Sequence, residues 1–532
     1  MNQRHTQAFD PHALRRPTAF PWPVEDVQFI ETHISWLYLA GDRVLKIRRP
    51  VRYPFVDHRT PESRKRSCLQ EFALNRRLTT GVYLDVVPIT RQGEGVQVDG
   101  TGEIIEWGTV MRRLPADRML DRLIAANAVE AGLAERIGAT LRRFHECAPV
   151  CATEKTAADQ QSSVILGNIE ELHHIGNRQI SDQQLRQIAM VVGQFLNSQR
   201  IMLESRATGG WIRDGHGDLR TDHICVENDG TLQIFDCIEF NDALRCSDIA
   251  SDLAFLLMDM RRLDRNDLAD AILEGYDAPP EMLPSSLLRL YETHRALVRV
   301  KTESLTATSS SADAPLHFSS AARYLDTAFR SAIETGASLM VMTGLSGTGK
   351  STIAGKIAYA TGASWLRTDD LRAAISPGLP IRDAAWLEGA YAPEQTARTY
   401  AELFRSAREV LGAGKPVVLD GAFLDQQLRE GAASVGRQAG VPVVLLETTL
   451  PESTVRERLD ARASEGRDPS AATYGTYLRQ RQATAGADLR APEGVDHLKI
   501  DMTEPPGRPL EAFWSWLERR QLVYSGLDVG SP

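Results

Sequence analysis

The chain has 532 residues and a formal net charge of −9 at pH 7, and its length leaves room for about three or four structural domains. From residue 338 onward, 22 Lys and Arg stand against 24 Asp and Glu, so neither half of the chain is basic. This balance counts against a nucleic-acid partner, because such binding depends on neutralising phosphates.

The cysteines and the apolar runs indicate the cellular compartment of the protein. The start of the chain is polar and interrupted by proline, and no apolar run approaches the roughly twenty residues of a membrane span. The six cysteines show no paired C-x-x-C spacing, so structural thiols are favoured over a zinc site. We therefore expect a protein of the reducing cytoplasm that makes no membrane contact.

The first predicted element is a hairpin, in which apolar runs at 36–39 and 43–47 flank a Gly-Asp turn. Lys46 stands amid apolar neighbours and needs a partner, because an unpaired buried charge is costly. Glu71, in the helix-like segment 69–74, is the candidate partner for a pair that grips ATP phosphates. The alternative is that Lys46 snorkels and Glu71 is exposed.

Farther on, the motif His216-Gly-Asp-Leu219 precedes two apolar runs around an Asn-Asp-Gly turn, which predicts a second hairpin. Folding this hairpin brings Asp236 close to Asp218. One carboxylate, that of Asp218, can then deprotonate an acceptor hydroxyl, and that of Asp236 can hold Mg²⁺ on the phosphates. In the alternative, both are structural acids of turns.

The next segments are connectors and helices. Ser247 is expected to cap a helix that carries an apolar stripe. Asp248 and Asp252 share one face of this helix, and we expect them to pair structurally; the alternative is that they meet a cationic substrate or an arginine such as Arg220. The polar stretches 153–163 and 304–315 predict a loop and a linker, and a helix is expected over Ser319–Thr335.

A glycine-rich motif follows an apolar run of strand length and precedes apolar residues at helical spacing. In such a loop, backbone N–H groups close around a phosphate, the lysine reaches the β- and γ-phosphates, and the serine hydroxyl ligates Mg²⁺. The alternative is an ordinary glycine turn before a helix. The predicted nucleotide-binding residues are Gly344, Leu345, Ser346, Gly347, Thr348, Gly349, Lys350, Ser351 and Thr352.

Short apolar runs then alternate with helical stretches, which predicts a parallel sheet with its site at the carboxyl ends of the strands. Asp420 ends one run and is a candidate for the metal shell. Asp369 follows another and is the candidate base, with Arg372 facing the acceptor. In the alternative, Asp369 or Asp370 only caps a helix that begins near Leu371.

A later helix carries Arg458 and Arg462 on one face, four residues apart. We interpret it as a mobile lid whose arginines neutralise the transferring phosphoryl group. The alternative is a solvated face, on which Glu452 and Arg456 form a weak exposed pair.

Taken together, these motifs resemble known families. Gly344 to Ser351, Asp369-Asp-Leu-Arg372 and the arginine helix resemble P-loop kinases such as polynucleotide 5′-hydroxyl kinase, zeta toxins and gluconate-kinase-like enzymes, over about residues 338–520. The N-terminal half is similar to an aminoglycoside-phosphotransferase-type kinase domain, and the order matches a group of bacterial two-domain proteins. The resemblance implies ATP-dependent phosphorylation without a settled substrate. The motifs that carry the N-terminal likeness are Glu31-Thr-His-Ile-Ser35, Val44-Leu-Lys46, Met111-Arg-Arg-Leu114, His216-Gly-Asp-Leu219 and Phe235-Asp-Cys-Ile-Glu-Phe240.

Two departures from this family pattern concern the N-terminal site. His223 stands where such kinases carry a metal-binding asparagine, and imidazole suits Mg²⁺ poorly. A second metal is then absent, held by Asp222, or bound differently. The segment 31–40 also contains no glycine to cover a phosphate. A domain that only senses ATP is therefore an alternative to an active kinase.

The motifs and the resemblances together predict a chain of α/β and α+β class with two successive domains. A two-lobed protein-kinase-like domain spans 25–330, with a small lobe at 25–115 and a large lobe at 116–330, and a P-loop NTPase domain spans 338–522 with a parallel sheet wrapped by helices. We expect a bifunctional kinase that uses ATP and Mg²⁺ on small-molecule hydroxyl acceptors; the alternatives are an ATP sensor and a C-terminal nucleic-acid 5′-hydroxyl kinase. The predicted catalytic residues are Asp218, Asp369, Lys350, Arg372, Arg458 and Arg462. The predicted metal ligands are Asp236, His223, Ser351 and Asp420, and Lys46 and Glu71 join the nucleotide-binding set.

Overall fold

The computed structural model describes residues 9–53, 56–93, 95–151, 157–175, 179–309, 313–375, 389–465, 472–484, 489–503 and 508–527. Contacts within the chain divide it into two compact units. The first unit comprises residues 1–158 and 201–288, and the second comprises 159–200 and 289–532. Each unit is therefore assembled from two separate stretches of chain.

The elements follow in chain order. The N-terminal elements are β1 (Val27–Glu31), β2 (Ser35–Ala40), β3 (Arg43–Arg48), β4 (Arg52–Tyr53), β5 (Val56–Asp57), α1 (Pro61–Asn75), β6 (Tyr83–Gln92), β7 (Gly95–Val98) and β8 (Glu103–Arg112). The next are α2 (Leu120–Ala125), α3 (Leu133–Cys147), α4 (Ala157–His174), α5 (Asp182–Ser198), α6 (Arg200–Thr208), β9 (Ile212–Asp214), β10 (Ile224–Val226), β11 (Leu232–Ile234), α7 (Asp242–Arg245), β12 (Cys246–Asp248), α8 (Ile249–Arg262) and α9 (Asn266–Tyr276).

The C-terminal elements begin with α10 (Ser285–Ser309), α11 (Ala314–Ala332), β13 (Ile333–Thr335), β14 (Leu339–Thr343), α12 (Lys350–Thr361), β15 (Ser364–Arg367) and α13 (Thr368–Ile375). They end with α14 (Pro393–Gly412), β16 (Val417–Asp420), α15 (Gln426–Ala439), β17 (Val443–Thr449), α16 (Glu452–Glu465), α17 (Tyr474–Ala483), β18 (Asp496–Asp501), α18 (Glu511–Arg519) and β19 (Val523–Ser525). Among the residues described, no helix combines the length and the apolarity that crossing a membrane requires.

The first unit begins with an antiparallel sheet in the order β1-β2-β3-β8-β6-β7. The predicted first hairpin is confirmed, with Trp36 opposite Ile47 and Leu37 opposite Lys46. Because side chains alternate along a strand, Leu45 and Ile47 enter the apolar core while Lys46 faces the other side of the sheet. Helix α1, which carries Glu71, packs against β3 and β8.

The second predicted hairpin of this unit is also confirmed, since β10 and β11 pair antiparallel with Ile224 opposite Ile234. Strands β9 and β12 form another antiparallel pair. The predicted cap of α8 was wrong by one residue. Ser247 lies within β12, and the Asp248 carboxylate accepts the Ala250 N–H instead.

A disulfide also lies in the first unit. Cys151 and Cys246 are bonded, with their Cα atoms 6.0 Å apart. The expectation that all six cysteines are thiols was therefore wrong for this pair, whose members are separated by 95 residues. The cysteines at 68, 147, 225 and 237 are free thiols.

The second unit contains the predicted parallel sheet, in the order β15-β16-β14-β17-β18. Leu339 of the central strand lies opposite Val417 on one side and Val443 on the other. All five residues of β14 are buried. Parallel strands covered on both faces have such continuous apolar runs, which is why the short runs were recognisable in the sequence.

Helices from the N-terminal half complete this unit. Helix α5 packs against α11 and α18, and the Gln187 side chain donates to the Trp514 carbonyl oxygen at 3.0 Å. The stretch predicted as a loop at 153–163 is helical in α4 from residue 157, while residues 152–156 lie outside the described part.

The predicted linker and the helix after it also differ from the structure. Residues 304–309 continue α10, where the Thr306 hydroxyl donates to the carbonyl oxygen of Thr302 within the helix. The helix expected to reach Thr335 ends at Ala332, because Ile333–Thr335 pair with Val523–Ser525 as β13 and β19.

Candidate active sites

The ammonium of Lys46 lies between two carboxylates in the first unit. Its Nζ is 2.7 Å from Glu71 Oε1 and 2.7 Å from Asp236 Oδ1, so the predicted ion pair with Glu71 is present. Burial opposes the charged lysine, but Asp236 and Glu71 outweigh it and raise the pKa of Lys46. The same contact changes the pKa of Asp236. Desolvation alone would raise that pKa, but the positive charge of Lys46 outweighs it and lowers the pKa of Asp236.

Beneath this contact lies a buried charge network that the sequence reading missed. The Arg48 guanidinium is 2.9 Å from Glu71 Oε2 and 2.6 Å from Glu239 Oε1, and its side chain is 1% exposed. The hydroxyl of Ser67 donates to Glu239 at 3.0 Å, and that of Thr109 donates to Glu71 at 3.0 Å. Arg48 lies two residues after Lys46 and therefore on the same face of the strand. This spacing was the one feature of the sequence that could have indicated the network.

Asp252 of helix α8 holds the loop that begins at His216. The Asp252 carboxylate accepts the backbone N–H groups of His216 and Gly217 at 2.7 and 2.8 Å, and it also meets the ring of His145. The structural pairing predicted for Asp252 is confirmed. Burial lowers the pKa of His216 to about 4. The neutral ring accepts from the Asp218 N–H through Nδ1 and donates to the Phe235 carbonyl oxygen through Nε2.

Asp218 and Asp236 meet at one imidazole, as the second hairpin predicted. His223 Nδ1 is 3.6 Å from Asp218 Oδ2, and its Nε2 is 3.7 Å from Asp236 Oδ2. Asp236 has a φ of 63°, in a region that costs a residue other than glycine of the order of 1–3 kcal/mol. Such strain persists only where the surrounding structure enforces it. In this conformation the Asp236 carboxylate contacts Lys46, and its side chain is 41% exposed.

Both nitrogens of His223 have protein partners. Nδ1 donates to the Asp218 carbonyl oxygen at 2.8 Å, and Nε2 accepts from Arg220 Nη2 at 2.8 Å. Arg220 also lies 3.4 Å from Asp218 Oδ1 and 3.0 Å from Asp222 Oδ2. A metal-binding role for His223 remains a prediction, and these bonds count against it.

In the second unit, the phosphate loop joins β14 to α12. Gly344, Gly347 and Gly349 have φ values of 134°, 81° and 95°, which only glycine adopts without strain. Lys350 begins the helix, and its Nζ donates to the Leu345 carbonyl oxygen at 2.8 Å. The strand, loop and helix order predicted from the sequence is therefore confirmed, and Ser351 and Thr352 lie in the first turn of α12.

Asp420 ends β16, which lies between β14 and β15 at the carboxyl edge of the sheet. Burial raises the pKa of Asp420, while a hydrogen bond from the Ser351 hydroxyl opposes the shift. Trp365 Nε1 donates to Asp420 Oδ2 at 3.3 Å, and Arg367 Nε lies 3.6 Å from the same oxygen. The structure thus brings together the two predicted metal ligands of this unit.

Asp369 lies in the first turn of α13, which begins at Thr368. The alternative of a cap before a helix near Leu371 was wrong, because both Asp369 and Asp370 are inside the helix. Arg372 Nη1 donates to Asp369 Oδ1 at 3.0 Å, and its guanidinium lies over the Tyr391 ring. The Thr368 hydroxyl donates to the Asp420 carbonyl oxygen, which ties this helix to the end of β16.

The arginine helix α16 lies along the phosphate loop. A Cβ on Gly349 would be 3.7 Å from Arg458 Nη1. The pair of Glu452 with Arg456, which belonged to the alternative of a solvated face, is not formed, since Glu452 contacts the Tyr474 hydroxyl and Arg481 instead. The Arg462 side chain lies outside the described residues. Gln480, which the sequence reading missed, accepts the Ser346 N–H at 2.8 Å.

Comparison with known proteins finds two families in succession along the chain. Residues 38–285 match the Phosphotransferase enzyme family, and residues 339–486 match the AAA domain. The chain is 33% identical over 473 residues to the uncharacterized protein Rv2004c of Mycobacterium tuberculosis, a match that covers 87% of this chain and 92% of the relative. An uncharacterized protein of Mycobacterium bovis matches equally well.

Two solved structures are each similar to part of this chain. A choline/ethanolamine kinase family protein from Mesorhizobium loti shares 15% identity at a TM-score of 0.33, covering 57% of this chain and 92% of that one. A gluconokinase from Sinorhizobium meliloti shares 21% identity at a TM-score of 0.25, covering 35% of this chain and 97% of that one. With the two family matches in this order along the chain, the predicted two-domain architecture is confirmed.

Proposed function

Since the chain belongs to the family of its mycobacterial relatives and joins a phosphotransferase domain to a P-loop domain, we propose that it is a bifunctional ATP-dependent phosphotransferase. Each unit would transfer the γ-phosphoryl group of ATP to the hydroxyl of a small molecule in the cytoplasm. One observation carries the proposal. Each unit contains a lysine among the residues predicted to bind phosphates and a carboxylate that could act as the base. These are Lys46 and Asp218 in the first unit and Lys350 and Asp369 in the second.

In the first unit, Lys46 would bind the phosphates, and Glu71 would hold its ammonium in place. Asp218 would accept the proton of the acceptor hydroxyl as the new P–O bond forms and the bond to ADP breaks. Its loop is fixed by Asp252, so the carboxylate is positioned before substrate arrives. Positioning of this kind is the main contribution that a protein makes to phosphoryl transfer.

In the second unit, the glycine-rich turn and the start of α12 would surround the phosphates, and Lys350 would leave the Leu345 carbonyl to reach them. Asp369 would take the acceptor proton, and Arg372 would orient that carboxylate or the acceptor. Arg458, beside Gly349, would face the transferring group.

The donors present fit Mg²⁺, which prefers oxygen ligands. Asp236 offers a partly exposed carboxylate in the first unit, and Ser351 with Asp420 offers a hydroxyl and a carboxylate in the second. A bound Mg²⁺ would neutralise charge on the phosphates. Among the described residues no group of three or more His, Cys, Asp and Glu could hold a metal ion, so ATP would have to supply ligands as well.

The proposal is tested on the full-length protein, because residues 159–200 belong to the second unit and no single cut separates the two units. Labelled ATP would be incubated with hydroxyl compounds and, in a separate arm, with a 5′-hydroxyl oligonucleotide. We expect phosphorylated small molecules. Labelled oligonucleotide without any small-molecule product would favour the nucleic-acid kinase, and ATP hydrolysis without any phosphorylated product would rule out both kinase assignments.

A second candidate function for the first unit is ATP sensing without transfer. The observation that favours it is that Arg220 Nε and His223 Nδ1 lie 3.4 and 3.6 Å from the two carboxylate oxygens of Asp218. These side chains compete with an acceptor hydroxyl for the carboxylate oxygens of Asp218. A product whose formation depends on Asp218 would eliminate this candidate.

A further inference from the structure

The phosphate loop of the second unit packs against the two helices that follow β17. A Cβ on Gly347 would lie 2.9 Å from Leu459 and 3.0 Å from Val455, both on α16. Leu345 of the loop joins these side chains and Tyr477 of α17 in one apolar cluster. The loop, α16 and α17 therefore share a small core, and any change in the shape of the loop disturbs both helices.

Within this contact, one polar group of α17 reaches the loop backbone. Gln480 Oε1 accepts the Ser346 N–H at 2.8 Å, and the Gln480 residue is 8% exposed. Two further amides of the turn are also bonded. The Gly344 N–H donates to the Ala422 carbonyl oxygen, and the Thr348 N–H donates to the carbonyl oxygen of Leu345 within the turn. Three amides of the turn are therefore bonded to protein acceptors, and that of Ser346 is bonded to the side chain of Gln480.

We propose that Gln480 is a positioning residue of the second site, a step that rests on the proposed ATP function of this loop. By accepting the Ser346 N–H, Gln480 fixes the turn in the shape that leaves its unbonded amides to bind a phosphate. The same contact joins the loop to the helix pair that carries Arg458, so that arginine is placed before ATP arrives. Groups ordered in advance cost less to organise when the ligand binds.

The test uses the full chain with Gln480→Met, which keeps the length of the side chain and removes the acceptor. Gln482→Met, at an exposed position two residues along the same helix, is the matched control. Hydrogen exchange of the Ser346 amide without nucleotide reads the contact. ATP affinity at this site is read from the ATP-dependent protection of residues 344–351, so binding to the first unit does not interfere.

We expect Gln480→Met to speed exchange at Ser346 and to weaken ATP binding about tenfold, the size of one lost hydrogen bond in a shielded place. Gln480→Glu, whose carboxylate oxygen can accept the same N–H, should restore slow exchange. The control should change neither measurement.

The outcomes separate the two claims. If the wild-type loop gains no protection from ATP, the proposed function of this unit fails and the inference with it. If the wild-type loop is protected but Gln480→Met leaves both exchange and affinity unchanged, the inference alone is overturned. A lower melting temperature with unchanged ATP affinity would show that Gln480 is only structural, and would also overturn it.

Discussion

The two candidate sites hold their lysines by different means. In the first unit, Lys46 lies between Glu71 and Asp236, and Arg48 ties Glu71 to Glu239. In the second unit, glycine dihedral angles and backbone hydrogen bonds shape the loop, and Lys350 bonds to a carbonyl oxygen of that loop. A site made of side-chain charges fails when one charge is removed, whereas a site made of backbone tolerates side-chain changes outside its few essential groups.

The largest expected effect is that of replacing Asp218, the proposed base of the first site. Asp218→Asn removes the proton acceptor and preserves the shape, so we expect turnover at the first site to fall by about 10²–10⁴-fold. ATP affinity should be nearly unchanged, because Lys46 and Asp236 are intact. Product formation from labelled ATP and an ATP titration give the two values.

Asp222→Asn is the matched control for this variant, since Asp222 lies four residues along and also contacts Arg220. Its effect should be small. A loss as large as that of Asp218→Asn would instead assign Asp222 to the metal, and turnover that survives Asp218→Asn would contradict the assigned base.

Lys350→Ala removes the lysine of the second site, whose loop is shaped by glycine dihedral angles and backbone hydrogen bonds. We expect turnover at the second site to fall by about 10²–10³-fold, the effect of removing one preorganised electrostatic contact. The product of the first site should persist, which separates the two activities in one chain. Lys415→Ala, at an exposed turn before β16, is the control and should alter neither product. If Lys350→Ala abolished both products together, the two sites would not be independent.

Arg48→Met would break the buried network under the first site. Its removal leaves the Glu71 and Glu239 carboxylates buried with less compensation, so we expect the first unit to lose about 3–5 kcal/mol of stability. The neighbouring Arg49→Met is a matched control, because Arg49 pairs with the half-exposed Glu31 and such pairs contribute about 1 kcal/mol or less.

Urea unfolding followed by hydrogen exchange in peptides of the first unit measures both variants. Equal losses for Arg48→Met and Arg49→Met would show that burial of the network adds nothing, and the contrast between the two sites would disappear.

The parts of this contrast that were predictable from sequence are local. The apolar runs and turns around Lys46, Asp236 and Lys350 specify strands, hairpins and the phosphate loop, because each depends on residues a few positions apart. The bonds of Arg48 with Glu239, of Gln480 with Ser346 and of Cys151 with Cys246 join residues at least 95 positions apart. No local pattern specifies such partners.

The helices α4 and α5 show the same limit on a larger scale. Their sequence position suggests the large lobe of the first domain, yet their contacts group them with the phosphate-loop unit. An apolar helix face is visible in a sequence, but the surface that it packs against is not. The polar residues Gln184 and Gln187 of α5 were equally uninformative until their partners Asp326 and Trp514 were known.

The smallest expected effect concerns pH and the neutral ring of His216. Its pKa of about 4 in the folded chain lies below the ordinary 6.5, so the unfolded chain binds more protons between these values. The stability that this histidine contributes is therefore fully present above pH 6.5 and is lost as the pH falls toward 4. Between pH 7.5 and 5 we expect the first unit to lose about 2 kcal/mol from this group.

His216→Gln should flatten this part of the pH dependence, because glutamine offers an N–H donor but does not titrate. Denaturation at several pH values, followed in peptides that contain Gly217, measures the slope. The buried His58 of the same unit also has a pKa lowered by burial to about 4 and supplies a residual slope in the variant. An unchanged slope would mean that the folded ring accepts a proton without cost, which the donation from Nε2 and the acceptance at Nδ1 argue against.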